Sequence, residues 1–283
     1  MKVLINLLKF IFITILTVCL ISIGVITVAS STILDKNYII QKLEETGFYT
    51  DTYNLVESNF ENYIYQSGLD EDVLKNICTQ EKVKKDINII LDNIYDGKKQ
   101  NIDTTEIADN LNANIDKLGI KNKQNESAIN QFVTHICDEY ADTVLHTKYE
   151  SKINEVYKKA VHELNKVYNA ILIVAVVDFI AIIIINNKKV LKDIQHLGIT
   201  FFATGVFELS VCQIIEAKVN IQGIKIFNDT FSKTLVTIIQ DVLSNVNSLA
   251  LGTCVVAIIF IAIYVVISVN KKTKENLHSE REI

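Results

Sequence analysis

No glycine and no proline occurs between Gly119 and Gly198, and that gap constrains the fold more than any other feature. These two residues are the commonest helix stops and kinks. From Glu126 to Asn187 apolar residues recur every three or four positions: Ile129, Phe132, Val133, Ile136, Tyr140, Val144, Tyr149, Ile153, Val156, Tyr157, Val161, Leu164 and Val167. The stripe then passes into an apolar run over 170–177, a single Asp178, and a second apolar run over 179–185. The spacing predicts one helix, amphipathic in water, that becomes a membrane span with a carboxylate near its centre. Unbroken, about 60 residues would reach about 90 Å, so a bend is expected where it meets the bilayer.

Three further apolar stretches have spanning length. Residues 10–34 carry no charge, residues 197–215 carry only Glu208, and residues 251–269 carry none. With the stretch at 167–185 they make four spans. The first is longer than the apolar core of a signal peptide, about 7–15 residues, so an uncleaved anchor over 1–34 is expected in spite of the small residues Ala29 and Ser30. Pro is absent and Gly numbers 9 in 283 residues, which argues against a sheet fold built on tight turns. The expected fold class is all-α: a four-span protein with an extracytoplasmic helical domain and a long helix continuous with the second span.

Lysine placement predicts orientation, because basic residues flank spans on the cytoplasmic side. Lys2 and Lys9 precede the first span, Lys188, Lys189 and Lys192 lie between the second and third, and Lys271, Lys272, Lys274 and Arg281 follow the fourth. With four spans all three groups share one side. The expected organisation is an anchor at 1–34, an extracytoplasmic helical domain at 35–166, a three-span membrane domain at 167–272 with an outer amphipathic helix at 228–248, and a cytoplasmic tail at 273–283. The first helix is expected to run on through residues 31–48 to Gly47. From Asp35 to Lys166, 24 acidic and 16 basic residues leave −8. That is not the basic face that nucleic acid requires.

Within 35–166 the helix punctuation is local. Asp51, Thr79 and Asp103 are candidate N-terminal caps, and Gly47, Gly68, Gly97 and Gly119 are candidate stops. Between them run apolar stripes such as Val56, Phe60, Ile64; Val83, Ile87, Ile90, Leu91, Ile94; and Ile107, Leu111, Ile115. About 135 residues suffice to bury a core.

The candidate chemistry is sparse. Asp178 and Glu208 fall at similar depths, and no span carries a Lys or Arg to pair with them. A carboxylate at mid-membrane costs about 2.5–3.5 kcal/mol on insertion scales. Two readings stand: neutral acids hydrogen-bonding between helices, or a functional proton or ion site. Cys78 and Cys137 are candidates for a disulfide, with two buried thiols as the alternative. His162-Glu163-Leu164-Asn165-Lys166 opens like a zinc-protease helix but has Lys where the second His is needed. Asp92–Asp103 copies only part of a calcium loop. No phosphate loop, dinucleotide glycine signature, nucleophile elbow or paired Cys-x-x-Cys occurs, so no cofactor, metal or catalytic residue is expected.

The segments Lys42–Tyr49, Asn62–Leu69 and Val83–Ile87 resemble uncharacterised multi-span membrane proteins of low-GC Gram-positive bacteria. That resemblance implies the order anchor, external helices, three closing spans, and implies no activity. The expected function is a non-enzymatic interaction or sensing component acting through the external domain, with a membrane or envelope protein as partner. The alternative is a small homo-oligomeric transporter or channel component using Asp178 and Glu208.

Overall fold

The computed structural model describes residues 2–98, 100–145, 150–186, 189–226 and 228–279. Among them the chain is all-α, with nine helices and no strand. It divides into a helical unit, residues 33–161 with 225–237, and a second unit comprising residues 1–32, 162–224 and 238 onward. Of the residues singled out above, Tyr149, Asn187, Lys188 and Arg281 lie outside the described ones.

The helical unit starts with a correction. Helix α1 (Lys2–Ser31) does not run on to Gly47. Asp35 takes an extended backbone, and its side chain accepts from the Asn37 N–H to open α2 (Lys36–Glu45). Aspartate prefers such a cap to a helix interior because its short carboxylate satisfies a free backbone donor. Gly47, at φ 72°, turns the chain directly into α3 (Phe48–Ser67), which places Asp51 inside the first turn rather than at the cap. Gly68 closes α3 at φ 69°, a conformation that an L side chain resists.

A short 3₁₀ turn (Glu71–Leu74) follows, with Asp70 at its start. Thr79 then caps α4 (Gln80–Tyr95) by accepting from the Lys82 N–H. The Asp103 side chain accepts from the Thr105 N–H at the start of α5 (Thr105–Lys117). The expected long helix is described as two, α6 (Glu126–Leu145) and α7 (Glu150–Ile185), and the junction 146–149 lies outside the described residues.

The core of this unit is the set of stripes read from the sequence. Val56, Phe60 and Ile64 of α3 meet Val83, Ile87 and Ile90 of α4, Ile107, Leu111 and Ile115 of α5, and Ile129, Ile136, Tyr140 and Val144 of α6. Each fully buried aliphatic side chain contributes about 1.5–3 kcal/mol, so this core carries most of the unit's stability. Helix α6 is its wall. The outer part of α7 touches it through few groups: Asn154 Nδ2 donates to the Asn93 carbonyl at 2.9 Å, and the Tyr157 ring lies 4.6 Å from Tyr95. Val156, one residue before Tyr157, is 67% exposed. The first turns of α9 join the same unit, with Phe231 against Phe48 and the Thr234 hydroxyl 3.0 Å from that of Thr46.

Inside this core lies a charged network. Asp86 Oδ2 accepts from Lys82 Nζ at 2.5 Å and from the Tyr140 hydroxyl at 2.6 Å, and Lys82 Nζ also donates to the Asp103 carbonyl at 2.7 Å. Burial, then the bond to Asp86, raises the Tyr140 hydroxyl above the ordinary tyrosine range.

At the rim Lys36 Nζ bridges Asp92 and Asp96 at 2.5 and 2.7 Å, and Lys98 reaches Asp92 at 2.6 Å. The hydrogen bond from Lys36, then that from Lys98, holds the Asp92 carboxyl below its usual value. A depressed value in the folded state means that this stabilisation is present above the unfolded aspartate range, about pH 4. It is lost as pH falls through the folded value. Asp92→Asn is expected to remove that part of the acid sensitivity and to cost about 0.5–1 kcal/mol at pH 7. Urea unfolding followed at pH 7 and at pH 3 tests this; an unchanged pH dependence would count against it.

The second unit holds four helices long and apolar enough to cross a membrane: α1, α7, α8 (Val190–Lys218) and α9 (Asp229–Ser279). The chain is thus a multi-span membrane protein. The amphipathic stretch at 228–248 is the first part of α9, which continues without a break into the fourth span. In this unit α1 and α7 pack through Leu16, Cys19, Ala175 and Ile182. Helices α8 and α9 meet through small residues. A Cβ on Gly205 would lie 2.5 Å from Cys254 Sγ and 2.8 Å from the Ala250 carbonyl, and the Phe201 and Phe260 rings stack at 5.7 Å. Between apolar helices in lipid, close backbone approach of this kind supplies the packing that holds them together.

Candidate intramembrane carboxylate site

Asp178 sits near the middle of the apolar part of α7, and Glu208 on α8. Helical periodicity alone does not say whether either side chain faces lipid. Both face protein: each is 3% exposed, while Val177 on α7 and Phe207 on α8 are 61% and 53% exposed. Asp178 lies within electrostatic reach of Cys19 on α1. Glu208 lies against Gly24 of the same helix, where a Cβ would come 2.8 Å from Glu208 Oε1 and 3.0 Å from Leu249 Cδ2 of α9. Helix α1 is therefore the common partner of both carboxyls.

Cys19 and Gly24 are five residues apart, about 7.5 Å along the helix axis and more than a third of a turn around it. Among the described residues no hydrogen bond links the two carboxyls. Asp178 Oδ2 and Glu208 Oε2 each lack a hydrogen-bond partner among the described residues, and so does the Thr204 hydroxyl one turn before Glu208. The structure thus brings Thr204 and Glu208 onto one buried face of α8 with Thr200 and Cys212, and Asp178 onto the α1–α7 contact. No lysine or arginine among the described residues contacts either acid. An unpaired buried carboxylate costs several kcal/mol, so the chemistry open to each is to carry a proton or to take up a small cation.

At the basic end of the unit, Asn186, 2% exposed, donates through Nδ2 to Asp193 at 2.7 Å and lies 2.8 Å from His196 Nδ1. These contacts tie the end of α7 to the first two turns of α8. Sequence reasoning missed this cluster and missed Gly24. The available signal for Gly24 was that it is the sole glycine in the first span, set among Ile, Val and Leu.

Cys78 and Cys137 do not form the bridge considered from the sequence. Both are free thiols. Cys78 Sγ points at the Thr79 carbonyl, before the start of α4, and Cys137 Sγ at that of Thr104, before the start of α5. Burial pushes the Cys78 thiol up to about 12, which leaves it almost wholly un-ionised at neutral pH and unreactive. No group of His, Cys, Asp and Glu among the described residues is arranged to hold a metal ion.

The fit of Gly24 to Glu208 makes a specific prediction. Gly24→Leu is expected to destabilise the second unit by about 1–3 kcal/mol. Its cost in a Glu208→Ala background is expected to be smaller by about 1 kcal/mol, because contacting sites are not additive. Thermal unfolding in detergent of the two singles and the double measures this; strictly additive shifts would show that the two residues do not meet.

No protein-family model, curated protein or solved structure matches this chain.

Proposed function

We propose that this is a non-enzymatic protein of the cell membrane with both termini in the cytoplasm. Its helical unit lies outside and engages another membrane or envelope protein. The observation that carries this reading is that two of the four spans are continuations of helices that begin in the helical unit: α7 from Glu150 and α9 from Asp229. Partner binding to that unit then acts on helices whose later turns are spans. The lysine distribution supports the orientation: Lys2 and Lys9, Lys189 and Lys192, and Lys271 and Lys272 mark the three segments assigned to the inside.

Orientation is tested by cysteine labelling in a cysteine-free background. A membrane-impermeant maleimide applied to intact cells is expected to label Tyr65→Cys, at a residue 90% exposed, and not Lys272→Cys. The reverse pattern would overturn the assignment. A photocrosslinker at position 65 is then expected to give one discrete adduct with another envelope protein; adducts with itself alone, or none, would remove the interaction reading.

The unpartnered acids favour a second reading, a proton- or cation-coupled carrier assembled from several copies. It requires a pH- or ion-dependent flux in reconstituted vesicles that Asp178→Asn or Glu208→Gln abolishes without unfolding the protein. Vesicles of the parent that show no flux exclude it.

A further inference from the structure

Along one side of the second unit, α1 and α8 leave a groove of about 550 Å³ between them. Its floor is apolar, formed by Phe10 and Ile13 of α1 with Ile199 and Ala203 of α8, and Lys9 and His196 stand at its mouth. Lys192 stands one turn before His196 on α8 and Lys189 at its N-cap, and Lys9 lies within electrostatic range of both and of Asp193. Asp193 already accepts a hydrogen bond from Asn186. No carboxylate among the described residues comes within ion-pair distance of any of the three lysines.

The N-terminus of α8 opens at the same place. Lys189, its N-cap, gives no side-chain hydrogen bond to the first N–H groups, and that end of a 29-residue helix carries the positive pole of its dipole. Three ammonium groups and a helix N-terminus with Asp193 as the one acid beside them leave a net positive charge that an anion would offset. The charge stands at one end of a long apolar slot, and it sits where the uncharged part of α1 begins, at the level of a lipid headgroup.

We propose that this groove binds an anionic phospholipid: Lys9, Lys189 and Lys192 hold the phosphate, and an acyl chain lies along Phe10, Ile13 and Ile199. A free phosphate would satisfy the lysines but leave the apolar slot unfilled. A zwitterionic lipid would bring a cationic headgroup into a cluster that is already positive. Basic pockets between spans select anionic headgroups for the same reason. The proposal rests on the four helices crossing a bilayer.

The chain contains no tryptophan, so Phe10→Trp or Ile199→Trp places a single fluorophore on either wall of the groove. The full chain carrying one of these is reconstituted in phosphatidylcholine vesicles. Quenching by brominated phosphatidylglycerol is compared with quenching by brominated phosphatidylcholine at equal mole fraction. Stronger quenching by the anionic lipid is expected from both positions. Each of Lys9→Gln, Lys189→Gln and Lys192→Gln is expected to lower the relative affinity about fivefold, and added inorganic phosphate is expected to leave quenching unchanged. Equal quenching by the two lipids, a preference that survives all three lysine replacements, or displacement by inorganic phosphate overturns the proposal. Failure of the parent chain to float with the vesicles overturns the membrane reading together with it, whereas flotation without preference overturns the lipid site alone.

Discussion

Asp86→Ala is expected to unfold the helical unit, or to leave it so weakened that its amides lose protection from hydrogen exchange. Asp86 is 1% exposed and its Oδ2 accepts from both Lys82 and Tyr140. Truncation would leave the Lys82 ammonium, whose side chain is 6% exposed, with the Asp103 carbonyl as its remaining hydrogen-bond partner among the described residues. It would leave the Tyr140 hydroxyl with none. Breaking a buried pair from one side costs about 3–5 kcal/mol, and an orphaned hydroxyl adds about 1–3. That approaches the whole stability of a typical domain, about 5–15 kcal/mol.

Two controls separate charge burial from loss of shape. Tyr140→Phe removes one donor and is expected to cost about 1–2 kcal/mol. Lys82→Met with Asp86→Leu replaces both charges by apolar groups of similar size and is expected to fall within about 2 kcal/mol of the parent. Hydrogen exchange across residues 33–161 in the intact chain reads all three. If Asp86→Ala kept native protection, the network would be dispensable.

Gly205→Val is expected to have the largest effect in the second unit. Even a methyl group there meets the Ala250 carbonyl at 2.8 Å and Cys254 Sγ at 2.5 Å. Backbone on the facing helix cannot rotate away as a side-chain tip can, so α8 and α9 must separate. Separation also unstacks Phe201 from Phe260. Overpacking of this kind costs about 1–3 kcal/mol in a core, and valine adds bulk beyond the first methyl. Gly252, also on α9, has nothing within 4 Å of its Cβ position, and Gly252→Ala is expected to be neutral. The two variants differ in place but share a loss of glycine, so their melting temperatures in detergent separate helix–helix contact from helix propensity. Similar melting temperatures would mean that the α8–α9 approach is not tight.

Gly24 and Gly205 show where reading from sequence stopped. Glycine inside an apolar span is compatible with a kink, a close contact or an open surface, and spacing does not choose. In the folded chain Gly24 clears space for the Glu208 carboxyl, Gly205 admits a backbone, and Gly252 faces nothing. The same limit held for Lys82 and Asp86. A lysine and an aspartate four residues apart on one helix are equally compatible with a solvated surface pair and a buried one. What buries them is Tyr140, 54 residues further along the chain, and the loop carbonyl of Asp103.

What the sequence alone determined depends on near neighbours. Four apolar runs, the three- and four-residue stripes of α3 to α6, and the cap at Thr79 are local, because a helix is closed by bonds between residues four apart. The start of α2 at Asp35 is equally local, but the apolar stripe on either side masks its capping carboxylate. Tertiary structure alone decided which way Asp178 and Glu208 face, that Glu208 lies against Gly24 of α1, and that Lys9 of α1 and His196 of α8 share one groove. Those outcomes depend on how helices are rotated and paired, which is governed by shape fit between distant segments and leaves no periodic trace in the chain.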